Sequence, residues 1–171
     1  TLKRVFRVSP RVWGMTLAHM GIGLFIIGAV IETTERYETT VALAEGGSGE
    51  AAGWTLTLED VRSIEGPNWY ADRAVLTATR GGATALLTPM KRYYPAAQMP
   101  TTETAIHKTG TADLHVALGD GRRDRAGRTR WTFEVFLNPM IDFVYLGVIL
   151  IALGAGLSMC GRRTRTAKEK A

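Results

Sequence analysis

The side chain best placed to do chemistry is His19, which stands in a run of twenty residues, 12–31, that holds no Asp, Glu, Lys or Arg. An imidazole in so apolar a helix is costly unless it faces a partner, which makes an intramembrane histidine a functional candidate. The partners that suit it are an ion path or a haem iron. A hydrogen bond to a neighbouring helix is the plain packing alternative. Gly23 follows four residues on, so the same helix face lacks a side chain one turn later and leaves room for a flat macrocycle. At about 1.5 Å per residue, His19 lies roughly 10 Å in from the start of the run.

Two further clusters combine rings with polar groups. Glu65-Gly66-Pro67-Asn68-Trp69-Tyr70 reads as a turn followed by aromatics, and Lys91-Arg92-Tyr93-Tyr94-Pro95 ends a strand with two cations beside two rings. Trp69, Tyr70, Lys91, Arg92 and Tyr93 suit an anionic flat ligand or a partner protein; an ordinary strand end is the alternative. His107 and His115 are expected to face solvent, and neither has a third ligand at a spacing that would hold zinc. Ser48, Ser63 and Ser158 lack a nucleophile-elbow context. Cys160 is the single cysteine, which excludes an intrachain disulfide and any Cys-x-x-Cys site.

These residues need elements to position them, and the charge pattern supplies the outline. Residues 143–161 form a second charge-free run, so 12–31 and 141–161 are expected to be transmembrane helices. The net charge of +5 is not spread evenly. Residues 1–11 form a basic arm with Lys3, Arg4, Arg7 and Arg11, and 162–171 form a basic tail, while the stretch from Glu32 to Met140 carries twelve basic and fourteen acidic residues. Basic flanks stay in the cytoplasm, which places both termini inside and residues 32–140 outside. A nucleic-acid partner would need the cations on the folded domain, so that class is excluded. The first run is longer than a signal-peptide core and lacks a small-x-small cleavage site, which favours a retained helix. The chain opens on Thr1, and it is expected to be a piece of a longer protein.

Between the helices, period-two alternation predicts about seven strands, at 37–43, 53–61, 73–79, 83–88, 103–108, 113–118 and 131–137. That number suits a small antiparallel barrel or sandwich. Glu45 to Gly53 is expected to be a flexible loop, and Gly119-Asp120-Gly121 to open a longer Arg-rich loop. The glycines of the first helix, Gly14, Gly21, Gly23 and Gly28, imply close helix neighbours, as do Gly147, Gly154 and Gly156 of the second.

Taken in order, Met15-Thr16-Leu17-Ala18-His19-Met20-Gly21, the Glu65 to Ala71 turn, Lys91-Arg92-Tyr93-Tyr94-Pro95, Thr102-Glu103-Thr104-Ala105-Ile106, Asp113-Leu114-His115-Val116-Ala117-Leu118-Gly119 and Ala152-Leu153-Gly154-Ala155-Gly156-Leu157-Ser158 form a pattern. Across nearly the whole chain it resembles the C-terminal part of the cytochrome c-type biogenesis protein CcmF family, a haem lyase component. The resemblance implies a multi-pass protein of the bacterial inner membrane with a periplasmic β-domain. It implies a function in taking haem from a haem chaperone and attaching it to the Cys-x-x-Cys-His motif of apocytochrome c, alongside other maturation subunits. It further implies a low-spin haem b held by two helix histidines, which keeps the transferred haem reduced; His19 matches one of the pair. The second ligand, the Trp-rich haem-handling loop and the rest of the lyase would lie outside this chain, which is then not active alone. Met90 stands where the family often has Glu, His115 where Tyr is common, and Glu134 where Arg is usual. A related lyase for a nitrite-reductase type of cytochrome shares the design. The alternative function is a non-catalytic, membrane-anchored periplasmic scaffold that recruits assembly partners.

Overall fold

The computed structural model describes residues 9–110 and 112–168, the last eight as backbone. The basic arm up to Val8, and the side chains of the basic tail, lie outside the described residues. The chain divides into two compact units, one holding the helices and the other spanning Glu35–Pro139.

The helical unit contains α1 (Pro10–Glu35) and α2 (Ile141–Lys168). Both are long and apolar enough to cross a membrane. Helix α1 starts two residues before the charge-free run because Pro10 sits in the first turn, where its missing N–H costs nothing. The Ser9 carbonyl accepts from the Val12 and Trp13 amides there. It runs four residues past Ile31, with the Thr33 and Thr34 hydroxyls donating to the Ala29 and Val30 carbonyls. Helix α2 follows Met140, whose φ of 58° breaks the chain direction, and carries Asp142 in its first turn, where the helix dipole favours an acid.

The helices are antiparallel and meet at glycine. Gly14, Gly21 and Gly28 are buried and seven residues apart; Gly147 and Gly154 repeat the interval on α2. A Cβ at Gly21 would lie 2.7 Å from the Gly147 carbonyl oxygen, and one at Gly147 would lie 2.8 Å from that of Gly21. Gly14 and Gly154 repeat the relation at 2.6 Å in each direction. Backbone therefore packs on backbone along the seam, as small residues permit between membrane helices.

Among the described residues the β unit has ten strands: β1 (Tyr37–Ala44), β2 (Ser48–Ala51), β3 (Trp54–Glu65), β4 (Tyr70–Arg80), β5 (Ala83–Leu87), β6 (Met90–Tyr94), β7 (Met99–Glu103), β8 (Ala105–Lys108), β9 (Ala112–Arg123) and β10 (Thr129–Pro139). One antiparallel sheet has the order β1-β10-β9-β8; the other has β2-β3-β4-β6-β7, with β5 also pairing β4. Only Thr104 separates β7 from β8, so one run of chain leaves the second sheet and joins the first. The result is a curled sandwich, as the alternating pattern predicts. Its core is the inner face of both sheets, where Leu56, Leu58, Leu76, Leu114, Val116, Leu118, Phe133 and Val135 are almost wholly buried.

Three local expectations need correction. The stretch from Glu45 to Gly53 is not a loop throughout, because 48–51 pairs with β3 from Ser48↔Thr57 to Ala51↔Trp54. Gly49 leaves room there for the Val41 and Leu43 side chains, which would stand 2.8 and 2.9 Å from a Cβ and would have to shift. Residues 90–94 form a strand of their own between β4 and β7 instead of ending the preceding one. Gly119-Asp120-Gly121 does not open the loop either: β9 continues to Arg123. Its glycines serve a bulge where Trp131 and Phe133 face Gly121 and Leu118. A Cβ at Gly121 would stand 3.1 Å from the Trp131 ring, so bare backbone lets the strand pass.

Candidate functional site

His19 lies on the exposed face of α1. Its Nδ1 is 2.7 Å from the Met15 carbonyl oxygen. A carbonyl can only accept, so Nδ1 carries the proton, and in the neutral ring the Nε2 lone pair is left for a ligand. A backbone carbonyl orienting one ring nitrogen while the other binds is the usual support of a metal-bound histidine. At 100° per residue, both His19 and Gly23 fall about 160° around the helix from the glycine seam. Nothing lies within 4 Å of a Cβ built on Gly23. The seam thus occupies one face of α1 with α2 and leaves the imidazole and the bare glycine together on the other.

The two aromatic clusters, twenty residues apart in sequence, are neighbours in the β unit. Strands β4 and β6 pair with Tyr70 opposite Tyr93, and their rings are 5.1 Å apart. The Arg92 guanidinium lies 4.4 Å from the Trp69 ring centre and reaches the Glu103 carboxylate at 2.6 Å. Lys91 is likewise held by Asp120. This bond, together with the charge of Lys91, draws the Asp120 carboxyl below its usual range. Both cations are therefore neutralised by partners within the domain, and what the cluster presents is aromatic. Tyr70 is 51% exposed, Trp69 half-buried and Tyr93 half-buried.

The turn sets this surface. The Gly66 amide donates to the Trp69 carbonyl at 2.8 Å, and any side chain at Gly66 would run into the indole. Glu65 to Tyr70, with Pro95 and Ala96, then lines an open groove of about 360 Å³.

The remaining histidines are not simply solvent-facing. His107 stands in phase with Ala105, which pairs with Val116 of the core, so it points inward and meets the Trp54 ring edge-on at 5.5 Å. His115 is on the outer face, but it is half-buried between its register partners Ile106 and Phe136. Burial pushes its pKa down, and Arg36 and Lys108 add to this, against an opposing pull from Asp113. Among the described residues, no three His, Cys, Asp or Glu side chains gather as metal ligands. The heptad spacing of the seam glycines was a signal in the sequence for which face of α1 meets α2 and which does not.

Comparison with known proteins identifies the family and the fold. The model of the CcmF C-terminal beta-sandwich family matches residues 34–139. The cytochrome c-type biogenesis protein CcmF of Pseudomonas fluorescens is 33% identical over 165 residues, covering 96% of this chain and 24% of that protein. CycK of Bradyrhizobium diazoefficiens is 31% identical over 170 residues, 99% of this chain and 25% of its own length. NrfE of Haemophilus influenzae, also a cytochrome c-type biogenesis protein, is 31% identical over 166 residues, 96% and 25%. The solved cytochrome c haem lyase CcmF shares the fold, with a TM-score of 0.68 at 20% identity over 87% of this chain and 24% of that one. The chain thus spans about a quarter of the length of the curated relatives it matches.

Proposed function

From the premise that this chain belongs to the CcmF C-terminal beta-sandwich family, we propose that it is the C-terminal part of a haem lyase component of cytochrome c maturation. In this reading His19 is one axial ligand to a membrane-embedded haem b. The observation that carries it is the bond from His19 Nδ1 to the Met15 carbonyl, which leaves Nε2 with a lone pair on the face that α2 does not cover. Gly23 keeps the adjoining turn clear. When bound, the haem supplies one-electron chemistry. The protein's part is to hold the imidazole in one tautomer and one direction, and the glycine seam fixes which way that direction points. The second ligand comes from the part of the protein outside this chain.

The basic flanks favour an inner-membrane placement with both ends cytoplasmic and the β-domain periplasmic. There the Trp69–Tyr70–Tyr93 surface is a contact for the haem chaperone or for apocytochrome c, since exposed aromatics at a groove are the residues that anchor partners. Lys91 and Arg92 act by buttressing that surface: Arg92 stacks under Trp69 while bound to Glu103, and Lys91 ties β6 to β9 through Asp120.

The test is His19→Ala in the complete protein, read by its absorption spectrum. The low-spin b-type spectrum should disappear and return in part when imidazole is added to the buffer. An unchanged spectrum and haem content would remove the ligand role. The chain would then be read as a membrane-anchored scaffold that recruits partners through the aromatic groove.

A further inference from the structure

The hairpin joining β9 to β10 is the most strongly charged surface on the β unit. Residues 122–130 contain Arg122, Arg123, Arg125, Arg128 and Arg130 against the single acid Asp124, a net of +4. The rest of Glu35–Pro139 has seven basic and twelve acidic residues, a net of −5. A nearly neutral domain is therefore sharply divided into a cationic tip and an acidic body. Asp124 accepts from the Ala126 and Arg128 amides at 2.9 and 3.0 Å, which closes the turn. Its other oxygen is shared by Arg128 and Arg130. Among the described residues, Arg122, Arg123 and Arg125 have no acidic side chain within ion-pair distance.

The arrangement works against the fold. Arg122 and Arg130 are directly opposed across the ladder, and like charges in that register are destabilising. All five arginines are exposed; Arg128 and Arg130 are held by Asp124, and Arg130 also donates to the Ala42 carbonyl, whereas Arg122, Arg123 and Arg125 stand outside that pairing. A solvated turn of this length needs no more than polar residues, and the excess over the one acid that shapes it calls for an external anion.

We propose that this hairpin is a docking point for an acidic segment of a partner protein. Planar guanidinium groups engage carboxylates in pairs, and a cationic tip on an acidic body orients an approaching acidic partner toward the tip while repelling it elsewhere. A lipid headgroup is the competing anion, and the vesicle arm of the test below separates the two.

The test uses the full chain in phosphatidylcholine nanodiscs, with fluorescent poly-L-glutamate as the probe. Arg122, Arg123 and Arg125 are changed together to Gln, and a control changes Lys3, Arg4 and Arg7 to Gln, removing the same charge from the arm. At ~0.15 M salt, where exposed charges more than about 8 Å from a site are screened, the tip variant should bind the probe at least ~10-fold more weakly, and the arm variant within about twofold of the parent. A melting temperature no lower than that of the parent shows that the tip variant is folded, and relief of the Arg122–Arg130 opposition should raise it slightly. Equal losses in the two variants would overturn the proposal, because binding would then follow net charge alone. So would a tip variant that keeps its affinity for poly-L-glutamate and loses it only for phosphatidylglycerol vesicles, which would assign the hairpin to lipid.

Discussion

Replacing Gly154 by Ala places a methyl group 2.5 Å from the Ala18 amide nitrogen and 2.6 Å from the Gly14 carbonyl oxygen. Neither neighbour can rotate away, because both are helix backbone. Restoring ordinary contact near 3.5 Å requires the helices to part by about 1 Å, and a gap of that size forfeits a quarter to a half of each contact along the seam. Overpacking of this kind costs about 1–3 kcal/mol, offset by the ~0.5–1 kcal/mol that Ala gains over Gly within a helix. The expected net loss is about 1–2 kcal/mol, close to a tenfold shift in equilibrium. Gly156, two residues along, has nothing within 4 Å of its Cβ, so Gly156→Ala should be neutral or stabilising by up to ~1 kcal/mol. Reversible unfolding in mixed detergent and dodecyl sulfate micelles, followed by helical circular dichroism, measures both. The opposite sign of the two substitutions is the signature. Equal shifts, or a stabilised Gly154→Ala, would mean that the seam is not where α1 and α2 meet.

Two predictions concern the β unit. Phe133 is 0% exposed at the centre of the core, so Phe133→Ala should destabilise it by about 3–5 kcal/mol in chemical denaturation; a loss below 1 kcal/mol would place the ring elsewhere. His115 has a folded-state pKa lowered from 6.5, chiefly by burial. The unfolded chain therefore binds the proton first as pH falls below about 6.5, and stability present above that pH is lost down to the folded pKa and then levels off. Thermal unfolding between pH 7.5 and 5 should show this decline, and His115→Asn should flatten it; an identical slope in the two proteins would assign the decline to other groups.

The helices were legible because a membrane span is written as missing charge, a signal that needs no knowledge of neighbours. Alternation likewise gave the sandwich, since Leu114, Val116 and Leu118 share a face whatever they pair with. What alternation cannot give is which face is inside on a short strand. Ala105 and His107 were correctly in phase, yet the face was settled by Val116 across the ladder. Glycine carried the same ambiguity: Gly49 and Gly121 read as loop residues, and each is in fact a strand position that another side chain crosses. Nor did the sequence hold any sign that Lys91 and Arg92 would be neutralised by Asp120 and Glu103, which lie 29 and 11 residues away.

The seam also changes what the candidate ligand needs. His19 in an isolated helix has the whole circumference from which to choose a direction, so its presence alone leaves the packing and ligand roles equal. A repeat of seven at Gly14, Gly21 and Gly28 fixes one face against α2. Packing against α2 would put the imidazole on that face, and it is instead about 160° away, with its Nδ1 satisfied by its own helix. Whatever satisfies Nε2 must therefore approach from the side away from α2. The seam glycines and His19 are in this sense coupled: close approach on one side of α1 sets the direction in which the imidazole faces on the other.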